Sequence, residues 1–196
     1  LMIGQEIGNV GVVGAGVMGT GMMINTVMHG RKVVICDQSP EALASARDRL
    51  GAYWSRQIEK GRIESAFAQE ARQRVTFVDD ISKLSQADLV IEAVFERLEL
   101  KRHVFVELEK VVGTEVILAS KTSCLRLSEI TEAIDRPERF CGMHYFSPAE
   151  INPVVELIEG HRTTHSVLSA ARSFLESSGK VVIDCRDQNG FALNRF

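Results

Sequence analysis

The chain has 196 residues, 45% of them hydrophobic and 25% charged, with a formal net charge of −3 and a pI near 6.0. That balance suits one globular domain, or one domain and part of another, and argues against nucleic acid as a partner. No apolar run reaches the length of a membrane span and no basic-then-apolar leader is visible, so no membrane partner is expected; Leu1 in place of Met leaves room for a start upstream.

An apolar run, Val10 to Val13, feeds into Gly14-Ala15-Gly16-Val17-Met18-Gly19, and an amphipathic segment continues to Gly30. This reads as strand, tight glycine turn and helix. In such a turn the first glycine permits the bend and the second removes a Cβ that would block a pyrophosphate. The third lets the helix pack close to the strand. The helix aims its unpaired N–H groups and positive dipole end at the phosphates. Gly14, Gly16, Val17, Met18 and Gly19 are therefore candidate cofactor-binding residues. A second apolar strand, Lys32 to Cys36, ends in Asp37, about 20 residues beyond the turn, as an acid facing ribose hydroxyls would be. No Arg follows at Gln38 or Ser39 to take a 2′-phosphate, so NAD is favoured over NADP. The plainer alternative is an ordinary βαβ turn with a helix-capping Asp.

Ser39-Pro40 reads as the N-cap and first residue of a helix with the apolar stripe Leu43, Ala46, Leu50, Trp54 and Ile58, stopping near Gly61. Glu64 to Arg74 is a second helical piece, and Val75 to Val78 a third strand ending in a solvated Asp79-Asp80 turn. Ala87 to Phe95 is a near-continuous apolar run, as in a strand buried on both faces, and Glu96 closes it. The next helix buries Leu100, Val104, Phe105, Leu108, Val111 and Val112 and ends at Gly113. Lys101, in its first turn, opposes the helix dipole, which leaves a binding role and a solvated side chain both open.

Val116 to Ala119 leads into Ser120-Lys121-Thr122-Ser123-Cys124. Ser128 is the candidate cap of a short helix to Ile134, broken at Pro137. Arg139 to Met143 is a strand that delivers His144, and Pro153 to Ile158 another. A helix from Thr163 to Ser178 stops at Gly179, and Lys180 to Asp184 is the last strand. The chain then turns through Asp187-Gln188-Asn189-Gly190 and ends in what reads as the start of a further helix. Alternating strands and helices predict an α/β fold: a doubly wound, Rossmann-like, mostly parallel sheet with helices on both faces. Residues 1–186 would form the NAD-binding domain, and 187–196 a linker and the start of a truncated C-terminal helical domain.

The chemistry is expected at the carboxyl ends of the strands. His144 there can take or give a proton near neutral pH. Glu156, inside Pro-Val-Val-Glu-Leu-Ile, shares a strand face with Val154 and Ile158 and so points into apolar surroundings. A buried carboxylate needs a partner, and a histidine would gain a fixed tautomer from it. The bland alternatives are a core histidine and an edge glutamate. Of the four cysteines, Cys36, Cys141 and Cys185 sit in or beside apolar strands, and none forms a C-x-x-C pair with Cys124 or another. Buried thiols in a reducing compartment are expected, and no metal site.

Several segments together resemble the NAD-binding domain of L-3-hydroxyacyl-CoA dehydrogenases: Val-Gly-Ala-Gly-Val-Met-Gly, Ala-Asp-Leu-Val-Ile-Glu-Ala-Val-Phe-Glu, Lys-Thr-Ser-Cys-Leu, Gly-Met-His-Tyr-Phe-Ser-Pro, Val-Val-Glu-Leu-Ile and Gly-Phe-Ala-Leu-Asn-Arg. The resemblance covers essentially the whole chain. It implies a catalytic pair of His144 and Glu156, with Ser123 and Asn194 orienting the substrate. It also implies Asp37, Glu96 and Lys101 around the cofactor and the reacting end of the substrate. The implied reaction is NAD-dependent oxidation of a 3-hydroxyacyl-CoA to the 3-ketoacyl-CoA, in fatty acid β-oxidation or related metabolism. The implied assembly is a homodimer joined through a following helical domain. The implied location is the cytoplasm, or the mitochondrial matrix or peroxisome in a eukaryote. The family usually has Asn where this chain has Lys121 and Ser147. The Thr-Ser-Cys-Leu segment also resembles the gulonate dehydrogenase and lambda-crystallin branch. A free hydroxy acid substrate is therefore an alternative, as is an inactive nucleotide-binding homologue.

Overall fold

The structure is a computed structural model and describes residues 6–188. Eight strands form one sheet in the order β3-β2-β1-β4-β5-β6-β7-β8. They are β1 Asn9–Val13, β2 Lys32–Cys36, β3 Val75–Val78, β4 Leu89–Glu92, β5 Ile117–Ser120, β6 Phe140–Tyr145, β7 Val154–Glu159 and β8 Val181–Arg186. Neighbours from β3 to β6 run parallel, β7 is antiparallel to β6, and β8 is parallel to β7. The order turns back at β1, so the crevice between the β1 and β4 ends is where such sheets hold ligands.

Six α-helices connect the strands: α1 Val17–Met28, α2 Pro40–Glu59, α3 Ser65–Arg72, α4 Leu98–Val111, α5 Leu127–Thr131 and α6 His165–Ser177. Strand alternation sends successive side chains to opposite faces. Leu89 and Ile91, Ile117 and Ala119, and Cys141 and Met143 join a core with Met22 and Met23 of α1, Trp54 of α2 and Phe174 of α6. Val90, Leu118 and Phe140 join a second core with Phe105 and Leu108 of α4 and Ile130 of α5. The expected two-sided, mostly parallel sheet is thus what forms. No helix among the described residues is long and apolar enough to cross a membrane.

Several boundaries differ from the sequence reading. β4 is Leu89–Glu92 rather than Ala87 to Phe95, because pairing with β1 and β5 stops at Glu92; Glu96 lies four residues further on, in the loop. β6 extends to Tyr145, so His144 lies inside the strand. Ser39 caps α2 as expected, its Oγ accepting from Ala42 N at 3.1 Å. Ser128 does not cap α5. That helix starts at Leu127, and Asp187, just past β8, accepts from the N–H groups of Leu127 (2.7 Å) and Ser128 (2.8 Å). This remote cap satisfies two donors that a helix of this length leaves unpaired. Asn189, Gly190 and the expected start of a further helix lie outside the described residues.

The β6–β7 reversal shapes the site. Buried Lys180 donates from Nζ to Ala149 O (2.6 Å) and Asn152 O (2.9 Å), fixing the connection. Within the pair, Gly142 faces Ile158, and a Cβ on Gly142 would lie 2.8 Å from Ile158 Cδ1 and 2.9 Å from its Cβ. Gly142→Ala should force the strands apart and cost about 1–3 kcal/mol. Chemical denaturation measures this, and an unchanged midpoint would show the approach to be less tight than described.

Candidate active site

The glycine turn behaves as its spacing predicts. Gly14 has φ +104°, and a Cβ there would lie 2.7 Å from Ala93 O. A Cβ on Gly19 would lie 1.8 Å from Gly14 O, so only glycine lets α1 sit this close to the turn. A Cβ on Gly16 would meet nothing within 4 Å, so the space above it is open to a ligand. Gly16 is the N-cap of α1, with no side-chain cap and no acid in the first turn. Val17 is 63% exposed and Met18 half-buried at that helix start. An uncapped helix N-terminus under open space suits a phosphate. Asp37 follows β2, where its Oδ2 accepts from Ala15 N at 2.7 Å and its Oδ1 from Ser39 N at 2.9 Å. The carboxylate therefore ties the glycine turn to the start of α2 at the rim where a ribose would lie. These residues fit a dinucleotide.

A second cluster lies under the ends of β4 and β5. Lys101 is fully buried, not solvated. Its Nζ donates to Glu92 at 2.7 Å and 2.9 Å and lies 3.3 Å from Glu96 Oε2. Glu92, also fully buried, further accepts from Ser120 Oγ and Val94 N, both at 2.7 Å. Glu96 Oε1 accepts from Thr122 Oγ1, from Ser123 N at 2.9 Å and from Cys124 N at 3.2 Å. Glu96 therefore clamps the loop after β4 to the loop after β5. Partial burial alone would raise its pKa, but the Thr122 hydroxyl, Lys101 and the two backbone donors outweigh that and hold it at about 2. The sequence reading passes over Glu92 as part of an apolar run; an acid flanked by Leu89-Val90-Ile91 and Ala93-Val94 is the signal it offers.

The third part spans β6 and β7. The antiparallel register sets His144 directly opposite Glu156. His144 Nδ1 lies 2.7 Å from Glu156 Oε2, with the two side chains 5% and 0% exposed. An ionised carboxylate only accepts, so Nδ1 donates and the ring lone pair lies on Nε2. Cys185 of β8 donates from Sγ to the other carboxylate oxygen, Glu156 Oε1, at 3.6 Å. The Phe146 ring, its centroid 4.5 Å from that of His144, packs against the imidazole. Burial pushes the Cys141 thiol up to about 12, and burial with nearby acids pushes Cys36 up to about 11, so neither is a reactive thiolate. Among the described residues no group of three or more His, Cys, Asp or Glu is gathered as metal ligands would be.

Glycine turn, Asp37, Glu96, Ser123 and His144 therefore meet at one end of the sheet, after β1, β2, β4 and β5 and at the end of β6. Asn194 lies outside the described residues. The family model for the 3-hydroxyacyl-CoA dehydrogenase NAD-binding domain matches residues 9–188. The chain belongs to this family. A 3-hydroxybutyryl-CoA dehydrogenase of Bradyrhizobium diazoefficiens is 35% identical over 96% of this chain and 64% of its own length. The solved 3-hydroxybutyryl-CoA dehydrogenase of Escherichia coli K12 is 34% identical, with a TM-score of 0.95 over 97% of this chain and 40% of that one. A solved 5-formyl-3-hydroxy-2-methylpyridine 4-carboxylic acid 5-dehydrogenase, described as an NAD+-dependent dismutase, is 33% identical, with a TM-score of 0.87 over 96% of this chain and 61% of that one. The chain spans between 27% and 64% of the length of such curated relatives.

Two outcomes follow from the buried charges. Lys101→Met leaves Glu92 buried without its counter-ion and should cost about 3–5 kcal/mol, part of which Glu92→Gln in the same chain restores; denaturation of both variants measures this. Glu96 titrates at about 2 in the folded chain against 4.5 unfolded, so the stability it contributes is complete above about pH 4.5 and is lost as pH falls toward 2. The stability gap between wild type and Glu96→Gln should close over that range, and a pH-independent gap would contradict the assignment.

Proposed function

We propose that the protein is an NAD-dependent dehydrogenase that oxidises the 3-hydroxyl of a 3-hydroxyacyl-CoA to the 3-ketoacyl-CoA. The observation that carries this is the buried His144–Glu156 pair, at 2.7 Å, at the same sheet end as the glycine turn. Gly14, Gly16, Val17, Met18, Gly19 and Asp37 would hold the dinucleotide, with Glu96 and Lys101 shaping its nicotinamide end. NAD+, when bound, supplies the hydride acceptor. His144 Nε2 takes the proton of the substrate hydroxyl as C3 gives up its hydride. Glu156 holds the imidazole in the required tautomer and stabilises the imidazolium that results. Ser123 orients the substrate, and the resemblance gives Asn194 the same task. A homodimer joined through a following helical domain, and a cytoplasmic location, belong to the same proposal and rest on the family resemblance.

A free hydroxy acid is the second reading. The Thr122-Ser123-Cys124-Leu125 segment supports it, as does similarity to a dehydrogenase named for a pyridine carboxylic acid. Turnover of 3-hydroxybutyryl-CoA against free 3-hydroxybutyrate by the full-length protein decides between them, and a clear preference for the free acid would overturn the first. In the same assay His144→Gln and Glu156→Gln should each lower kcat by roughly 10²–10⁴. NADH binding, read by fluorescence, should stay within a few fold of wild type.

A further inference from the structure

The proposed mechanism gives Lys121 no task, yet its ammonium stands beside residues that the mechanism uses. Lys121 follows β5 directly, and its backbone N–H donates to Glu92 O at 2.8 Å, so the strand end fixes where it leaves the sheet. Its neighbour Ser120 pairs with Gly142, two residues before His144 on the adjacent strand. Lys121 Nζ donates to Ser123 Oγ at 2.8 Å.

Lys121 differs from nearby Lys101 in how its donors are met. Lys101 is fully buried, and its ammonium meets Glu92 at 2.7 Å and 2.9 Å and Glu96 at 3.3 Å. Lys121 is half-buried, and among the described residues the Ser123 bond is the one hydrogen bond its ammonium makes. An ammonium has three donors and no acceptor, so two N–H groups are left for a ligand. Glu92 and Glu96, with Lys101 between them, carry an excess negative charge that Lys121 balances. Burial does most to lower the Lys121 pKa and Lys101 adds to this, while Glu96, Glu92 and Cys124 oppose it. With the charges balanced, long-range attraction is weak. What Lys121 offers a ligand is directed contact with an acceptor.

We propose that Lys121 is a substrate-binding residue whose open N–H groups hold the C1 acyl oxygen of the substrate, the oxygen of a thioester or of a carboxylate two carbons from the reacting C3. This rests on the dehydrogenase reading above and on neither of its two substrates in particular. Most other ligand groups already have a holder. The glycine turn and α1 face the pyrophosphate, Asp37 the ribose and His144 the C3 hydroxyl. The oxidised nicotinamide ring is cationic and gains nothing from an ammonium. Two acceptors remain, the acyl oxygen and the carboxamide oxygen of the nicotinamide. The Ser123 bond favours the first, because it ties Nζ to the residue that orients the substrate. The acyl oxygen accepts equally well whether C3 is a carbinol or a ketone, so the contact holds through the reaction. A plain secondary alcohol would leave the two donors unmet, and the site discriminates against it.

The test uses the full-length protein with NAD+, 3-hydroxybutyryl-CoA, free 3-hydroxybutyrate and S-(3-hydroxybutyl)-CoA. The last has a methylene in place of the C1 carbonyl and is read as a substrate or as a competitive inhibitor. Whichever of the first two wild type turns over identifies the source of the oxygen. Lys121→Met should lower its kcat/KM roughly tenfold for the thioester, and by more for the carboxylate, where both partners are charged. Binding of S-(3-hydroxybutyl)-CoA and the KM for NAD+ should stay within about twofold of wild type. If the Met variant does not fold, Lys121→Gln, which keeps two neutral N–H donors, carries the comparison with a smaller loss on the acyl substrate and none on the analogue. Wild-type kcat/KM in the variant, an equal loss on the analogue, or a loss that falls on NAD+ would overturn the proposal. If wild type turns over neither acyl substrate, the dehydrogenase reading fails, and calorimetry of acetoacetyl-CoA and acetoacetate with the NADH complex decides the contact. Binding about tenfold weaker in Lys121→Met sustains it. Equal affinity, or no binding to wild type, overturns it.

Discussion

A carboxylate with no exposed surface has to be met by a partner, and in this sheet Glu156 is met from both sides. His144 on β6 lies against one oxygen and Cys185 on β8 against the other. What makes this possible is the reversal of β7. Opposed residues on antiparallel strands have their Cβ atoms about 4.5–5.5 Å apart. The His144–Glu156 distance is therefore set by backbone pairing more than by the choice of rotamer. Gly142 strengthens that constraint, because the missing Cβ lets β7 lie close at the residue pair next but one to His144. The register of two strands thus fixes an acid–base pair within a packed core, where side chains cannot drift.

A second buried set, Glu92, Lys101 and Glu96, does a different job from the same sheet end. Buried ion pairs seldom stabilise a fold relative to well-packed apolar side chains. What this set achieves is geometric. Glu92 fixes Lys101, Lys101 holds one oxygen of Glu96, and the other oxygen accepts from Thr122 Oγ1, Ser123 N, Cys124 N and Cys124 Sγ in the loop after β5. Two loops that would otherwise move independently become one rim. That rim carries Ser123, so the path from a core carboxylate to a residue facing the crevice is only a few hydrogen bonds long.

Much of this was legible in the sequence because it is local. The glycine turn, the Ser39-Pro40 helix start and the inward face of Glu156 each depend on spacing within a few residues. Period-two alternation is enough to place Glu156 on an inward face of its strand. The parts that were not legible are long-range. For Lys101 the sequence leaves a binding role and a solvated surface side chain both open, and only β4 and β5 bring Glu92 and Ser120 beneath it. The cap of α5 comes from Asp187, about sixty residues away, so local capping rules pointed to Ser128 instead. The end of β4 was overestimated because Ala93, Val94 and Phe95 are apolar, although Phe95 is 82% exposed; apolar character beyond Glu92 marks the rim of a crevice and not a strand.

The same charge arithmetic bears on how a cationic nicotinamide could sit near Lys121. Two unit charges about 7 Å apart, in surroundings of effective dielectric constant between about 20 and 80, interact by about 0.6–2.4 kcal/mol wherever the pair lies. An uncompensated lysine at that range would weaken binding of an oxidised dinucleotide by up to nearly two orders of magnitude. Lys121 is compensated: two carboxylates and two ammonium groups lie together, so the field beyond them falls off faster than that of a single charge. Glu96 is the member nearest the surface of that group and is held ionised down to about pH 2, so its negative charge is present wherever Lys121 is positive. A lysine at the end of β5 is therefore compatible with a cationic ligand because of Glu96.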